Sequence, residues 1–101
     1  MFNELDPVLH SQLRLAVMSL LLSVREAEFN FLKEKTRATA GNLSVQLNKL
    51  ADAGYITLTK SFRGKYPLTV CAVTPAGVKA MEQYVQDLQA YLSNVGKKSS
   101  S

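Results

Sequence analysis

The chain has very few of the residues on which disulfide and metal chemistry depend. Its 101 residues include one cysteine, Cys71, one histidine, His10, and no tryptophan. A single cysteine excludes an internal disulfide, and one cysteine with one histidine cannot supply a zinc site of the usual Cys/His type. We therefore expect no metal and no other cofactor. Cys71 is interpreted as a small buried hydrophobic residue in a strand, with a redox-sensing thiol as the alternative.

Long apolar runs are also absent. The run Leu20–Leu22, for example, is flanked by Ser19 and Ser23, whereas a membrane span needs about 18 or more consecutive apolar residues. The N-terminal residues lack the basic and apolar regions of a signal peptide, so we expect a cytoplasmic protein with no membrane partner. With 101 residues, of which 47% are hydrophobic, the chain is expected to form one globular domain.

No pattern of catalytic residues is present. The eight carboxylates show no paired spacing typical of acid–base chemistry, and no arrangement of a nucleophile with His10 is visible. His10 is interpreted as a surface or core residue of a helix. We expect that the chain is not an enzyme.

Positive charge is concentrated in one third of the chain. Residues 33–65 hold seven bases and two acids, a net charge of +5, whereas the remainder holds five bases and six acids, a net charge of −1. Such clustering is typical of a protein that binds a polyanion. A solvated basic face without a partner is the alternative.

Residues 39–54 predict a short helix with one polar face. Thr39 is a suitable N-cap, and Gly54 is a suitable end. Leu43, Leu47 and Leu50 recur at helical spacing and mark the inner face. The opposite face is polar and short-chained rather than rich in Glu–Lys pairs, which favours base reading over plain surface. That face and its flanks comprise Gly41, Asn42, Ser44, Val45, Asn48, Lys49 and Asp52.

A two-stranded ribbon is predicted next, over residues 55–62 and 66–73, with a turn that contains glycine. Ile56 and Leu58 alternate with polar residues, and Leu68 and Val70 are expected to join them on the packed face. Three bases surround the tip and are expected to contact DNA phosphates, although a basic edge also prevents strand aggregation. They are Lys60, Arg63 and Lys65.

Two helices are predicted before the residue-39 helix. Asp6-Pro7 is expected to open the first, whose apolar stripe is wide enough to be buried on more than one side. Residues 25–29 form a connection, with a short edge strand as one option. Asn30 is expected to cap a helix over residues 31–36, which forms a helix-turn-helix with the helix that follows. The apolar stripe consists of Leu9, Leu13, Ala16, Val17, Leu20, Leu21 and Val24.

The last predicted helix opens at Thr74-Pro75 and carries an apolar seam at steps of three and four residues, from Val78 to Val95. At about 1.5 Å per residue it is roughly 30 Å long, more than so small a domain can cover. We expect its far half to pack against a second copy, with packing on its own core as the alternative. Residues 1–95 are assigned to the domain and residues 96–101 to a disordered tail. The expected dimer contacts are Leu9, Leu13, Val85, Leu88, Tyr91 and Leu92.

The order of these elements predicts a mainly α fold with a small antiparallel β-hairpin, that is, a winged helix-turn-helix with a long C-terminal helix. Several runs of the sequence resemble the small bacterial and archaeal winged-helix regulators related to the MarR and ArsR transcription factors. The resemblance covers about residues 5–92. It is carried by Gly41–Ser44, Leu47–Ile56, Arg63–Pro67 and Val73–Gly77.

The resemblance implies a homodimeric repressor or activator, with the first and last helices at the dimer contact. The chain lacks the cysteine-rich helix of the ArsR metal sensors and any appended ligand domain, so no effector is identified.

From the residues themselves, the expected partner is double-stranded DNA with an inverted-repeat operator. A winged helix used only for protein–protein contacts is the alternative. Asn48 is expected to contact adenine and Val45 a thymine methyl group. Lys33 is expected to assist at the phosphates. The complete set of expected DNA contacts is Thr39, Asn42, Ser44, Val45, Asn48, Lys49, Lys60, Arg63, Lys65, Lys35 and Arg37.

Overall fold

Four helices and a three-stranded sheet make up the described part of the chain. The structure, a computed structural model, describes the backbone of residues 2–100 and the side chains of residues 2–95. The predicted mainly α fold with a hairpin and a long C-terminal helix is confirmed. In chain order the elements are α1 (Gln12–Val24), β1 (Glu26–Glu28), α2 (Phe29–Thr36), α3 (Ala40–Asp52), β2 (Ile56–Arg63), β3 (Tyr66–Val73) and α4 (Pro75–Ser100).

The sheet is antiparallel with strand order β1-β3-β2, so the short edge strand exists and lies against β3. The hairpin register runs without a bulge from Ile56 opposite Val73 to Arg63 opposite Tyr66. A two-residue turn, Gly64-Lys65, connects the strands, and Gly64 adopts φ +64°, a conformation that favours glycine.

This register corrects one prediction about the packed face of the sheet. Leu68 and Val70 lie opposite Ser61 and Thr59, on the face away from the core. Leu58 is instead paired with Cys71. Because side chains alternate between the two faces, the packed face of β3 is formed by residues 71 and 73 rather than 68 and 70.

The core lies between helices α1 to α3, the inner face of the sheet and the first half of α4. The predicted leucines of α3 are all at most 2% exposed. Cys71 is fully buried, and burial raises the pKa of its thiol to about 11. Met18, which the stripe of α1 did not include, is also fully buried, whereas Val24 at the end of that stripe is exposed.

The first helix begins at Gln12 rather than after Asp6-Pro7, so that prediction was wrong. Asp6 does act as a cap, but of a single turn, because its carboxylate accepts from the Val8 amide at 2.9 Å. The Arg14 side chain donates to the Val8 carbonyl at 2.5 Å and holds the turn against α1. The Tyr55 hydroxyl donates to the Asp6 carboxylate, which raises the pKa of Tyr55 to about 12.

The second helix also starts earlier than predicted. Helix α2 begins at Phe29 with Glu28 at the N-cap position, so Asn30 is inside the helix and does not cap it.

The start of α4 is fixed against the end of α3 by Thr74. Its hydroxyl donates to the Gly54 carbonyl at 2.6 Å and accepts from the Gly77 amide at 3.0 Å. Gly77 is packed against the backbone of Tyr55, so a Cβ at position 77 would lie 2.2 Å from the Tyr55 carbonyl oxygen. Only glycine allows the two segments to approach so closely.

The N-terminal residues run along one side of α4. The Asn3 side chain donates to Asp87 at 3.0 Å, and the Tyr91 hydroxyl donates to the Asn3 carbonyl at 3.1 Å. The Phe2 and Tyr91 rings stack with centroids 4.6 Å apart. Helix α4 extends to Ser100, and the predicted tail of residues 96–101 stays a prediction, because Ser101 and the side chains of residues 96–100 lie outside the described residues.

Candidate nucleic-acid interface

The helix-turn-helix is formed by α2 and α3. Arg37 reverses the chain between them in the left-handed conformation, with φ 58° and ψ 25°. Thr39 then caps α3, since its hydroxyl accepts from the Asn42 amide at 3.2 Å. The predicted cap is therefore confirmed, and it fixes where the outward face of α3 begins.

The outward face of α3 is open to solvent along its whole length. Every residue predicted for this face is exposed, and Val45 is 51% exposed. The three leucines on the opposite side are buried. A helix of 13 residues with one apolar side in the core and one polar side in solvent has the shape that enters a major groove.

Gln46, which the sequence interpretation passed over, connects this face to the rest of the domain. Its amide donates to the Asn42 side-chain oxygen at 3.0 Å and accepts from the Arg14 guanidinium. The side-chain oxygen of Asn42 therefore already accepts a hydrogen bond, and the amide hydrogens of Asn42 remain available to a ligand. Glutamine four residues after asparagine on a helix was the available signal.

The wing and α3 share a small cavity of about 110 Å³ at the base of the hairpin. Ser44 and Asn48 of α3 line it together with Lys60 of β2 and Thr69 of β3. The sequence predicted that the polar helix and the basic ribbon lie side by side, and these residues are brought together. One lysine of the wing therefore lies beside the two polar side chains best suited to read bases.

Arg63 is not brought to this side. Its guanidinium forms a salt bridge with Glu28 at 2.9 Å, on the face of the sheet that points away from α3. Strand alternation explains this position, because residues 56, 58 and 60 share the inner face and residue 63 belongs to the outer one. Arg63 was predicted from the sequence to contact phosphate, and it could do so only if its ion pair with Glu28 opened.

The other predicted bases are accessible. Lys33, Lys35, Arg37, Lys49 and Lys65 are all exposed, and none forms a salt bridge with another of residues 2–95. Lys35 lies 5.7 Å from the centroid of the Phe31 ring. Positive charge is therefore present on α2, on α3 and at the tip of the wing.

The predicted dimer residues divide into four groups. Leu9 is fully buried in the core of its own chain, so it offers no surface to a partner and its assignment is corrected. Leu13 and Leu88 are partly buried against the same core. Tyr91 contacts the N-terminal segment, whereas Val85 and Leu92 are 46% and 60% exposed.

The described part of the chain has neither a metal-binding cluster nor a membrane-spanning helix. No three residues among its histidine, cysteine and carboxylate side chains are grouped so as to hold a metal ion. No helix there has the length and hydropathy of a membrane span.

A family model described as a winged helix DNA-binding domain matches residues 13–92. The chain belongs to this family. The resemblance noted in the sequence is confirmed by this match, which includes the helix-turn-helix and the wing. This winged-helix protein is thus a member of a family of transcriptional regulators.

Known proteins resemble this chain in sequence or in fold. An uncharacterized protein of Methanocaldococcus jannaschii is 31% identical over 88 residues, which are 87% of this chain and 96% of that protein. A transcriptional regulator homologue from Pyrococcus horikoshii is 26% identical, with a TM-score of 0.81 over 87% of each chain. A PadR-family regulator from Eggerthella lenta shares the fold, with a TM-score of 0.68, 20% identity and coverage of 85% of this chain and 84% of that one.

Proposed function

We propose that this winged-helix protein is a sequence-specific transcriptional regulator that binds double-stranded DNA as a homodimer. Helix α3 enters the major groove, and the wing lies along the adjacent backbone. The observation that carries the proposal is the cavity shared by Ser44, Asn48 and Lys60. In it, two polar side chains of α3 lie beside a cation of a different element, which supports a joint contact of both elements with one duplex.

The roles of the side chains follow from their chemistry. The Asn48 amide can both donate to and accept from the edge of adenine, and the Val45 methyl groups fit a thymine methyl. Exposed lysines and Arg37 supply sequence-independent attraction to phosphates. Lys60 and Lys65 serve the wing, while Lys33 and Lys35 serve the helix-turn-helix.

The far part of α4 is proposed to form the dimer contact. The N-terminal segment occupies the side of α4 that carries Tyr84 and Tyr91. Val85 and Leu92 remain exposed beside it, and Val85 lines a groove together with Leu22 and Val78. An apolar edge of this kind is suited to a second copy of the same helix. A dimer would read two half-sites about 34 Å apart, so the operator is an inverted repeat.

Selection of bound duplexes from a random pool tests this proposal. We expect an inverted repeat to be enriched, with two half-sites related by two-fold symmetry. Anisotropy with the selected duplex should then show binding that weakens as salt rises. Failure to bind any duplex even at low salt would contradict the proposal and favour a protein–protein interaction module.

A further inference from the structure

Two large aromatic side chains project from the wing without a role in the core. Phe62 is 73% exposed and Tyr66 is 77% exposed. They flank the turn from the two strands, and neither belongs to the hydrophobic core. A tyrosine hydroxyl can hydrogen-bond to water, so an exposed tyrosine is common. An exposed phenyl ring has no such bond, and its exposure therefore favours a contact with a binding partner.

The register places these two rings on opposite faces of the wing. Phe62 lies opposite Pro67 and two residues after Lys60, so it shares the face that points toward α3. Tyr66 lies opposite Arg63, on the face where Arg63 pairs with Glu28. In a pleated strand, Phe62 is about 7 Å beyond Lys60 toward the tip.

The surroundings of Phe62 define what it can contact on DNA. Lys60 and Lys65 bracket it and, in the proposed complex, bind phosphates. A phenyl ring cannot bind phosphate, but it can pack on deoxyribose and on the base edges of the minor groove beneath. Apolar side chains at such positions frequently enter a base step, unstack it partly and bend the duplex.

We propose that Phe62 is an apolar wedge that enters the minor groove beside each half-site. This inference rests on the proposed DNA-binding function and adds a specificity determinant to it. The wedge reads deformability rather than hydrogen bonds, so it prefers pyrimidine–purine steps, which unstack most easily.

The test compares Phe62→Ala with Tyr66→Ala on the selected duplex. Both substitutions remove a similarly exposed ring from the same turn, so thermal stability should stay unchanged in both. We expect Phe62→Ala to weaken binding about tenfold and Tyr66→Ala less than about twofold. The salt dependence should stay the same for Phe62→Ala, because a neutral ring releases no counterions. Phe62→Leu should restore most of the affinity.

A second measurement examines the DNA. Replacing the pyrimidine–purine step next to each half-site by a stiff A-tract should weaken binding of the wild-type protein and leave Phe62→Ala unaffected. Energy transfer between labelled duplex ends should show a smaller bend with Phe62→Ala than with Tyr66→Ala. Equal losses in the two alanine variants, or an equal A-tract penalty with and without Phe62, would overturn the wedge. If the wild-type protein binds no duplex, the proposed function itself fails.

Discussion

At the scale of single residues, Asn48 and Lys60 line one cavity, but in the proposed complex they contact different parts of a duplex. The amide of Asn48 can make two directed hydrogen bonds to one base. The ammonium group of Lys60 is a compact charge without a preferred base. Because both side chains are exposed, replacing either should remove a proposed DNA contact without disturbing the fold.

Substitution of the two residues should therefore separate specific from non-specific affinity. Asn48→Ala should cost about 1–3 kcal/mol on the cognate duplex and little on random DNA. Lys60→Ala should weaken binding to both and lower the slope of log affinity against log salt by about one ion. Fluorescence anisotropy at several salt concentrations measures both effects.

Lys79→Ala provides the control, since Lys79 is an exposed lysine of α4 outside the basic segment. It should leave affinity and salt slope unchanged. If Asn48→Ala weakened binding equally on cognate and random duplexes, the base-reading role would be wrong.

The thiol of Cys71 offers a test of the core. Its pKa is raised to about 11 by burial, so the neutral form prevails in the folded protein at pH 8. A thiol reagent should react slowly with the native protein and rapidly in denaturant. Since the folded-state pKa lies above the unfolded one, the neutral thiol stabilises the fold below about pH 9, and this contribution is lost as the pH rises toward 11. Rapid reaction of the native protein would instead support the redox-sensing alternative.

At the scale of elements, the junction between α3, β2 and α4 sets where the wing begins. Thr74 bonds to the Gly54 carbonyl through its side chain and to the Tyr55 carbonyl through its amide at 3.0 Å. Gly77 lies against Tyr55 in the same junction. Helix α4 therefore starts on the segment that follows α3.

Gly77→Ala should destabilise the protein by about 2–3 kcal/mol, the upper part of the range for overpacked cores. The added Cβ meets a backbone oxygen, which cannot rotate away as a flexible side chain can. Gly41→Ala is the matched control, because Gly41 lies in α3 with nothing within 4 Å of the added atom. That change should stabilise the protein by about 0.5–1 kcal/mol. Urea unfolding of both variants measures the difference, and similar stability of the two would contradict the close approach.

The helices and strands could be predicted where local pattern and local structure agree. The leucine spacing and the Thr39 cap together determine α3, and both are short-range features. The face of β3 could not be predicted, because residues 68, 70, 71 and 73 are all apolar and alternation gives no signal. The two-residue turn determines the register instead.

The candidate site could also be predicted in part from a local pattern, the alternation of side chains along β2. Counting in twos from Ile56 places Lys60 and Phe62 on the inner face and Arg63 on the outer one, so this signal was present in the sequence. The salt bridge from Arg63 to Glu28 spans 35 positions and has no local signature. The segment before α1 likewise includes a long-range bond without a local signature, from the Tyr55 hydroxyl to Asp6.

At the scale of the whole molecule, α4 has one side packed on its own chain and another side exposed, which the proposed dimer would cover. Tyr84 and Asp87 are buried against the rest of the protomer, and Asp87 accepts from Asn3 and from Gln83 at 2.9 Å. The apolar seam predicted for α4 is divided in the same way, because Met81 is buried and Leu88 partly buried, whereas Val85 and Leu92 are exposed. Val85 and Leu92, seven residues apart, lie on the same open edge.

Leu92→Glu should convert the proposed dimer to a monomer, because it places a charge at the centre of an apolar contact between two identical helices. Analytical ultracentrifugation should show the change in mass, and the variant should bind one half-site with lower affinity than the wild type binds the inverted repeat. Asn94→Glu is the control, since it adds the same charge two residues away, on the opposite side of the helix. A wild-type protein that is monomeric on its operator, or a Leu92→Glu variant that remains dimeric, would place the contact between copies elsewhere.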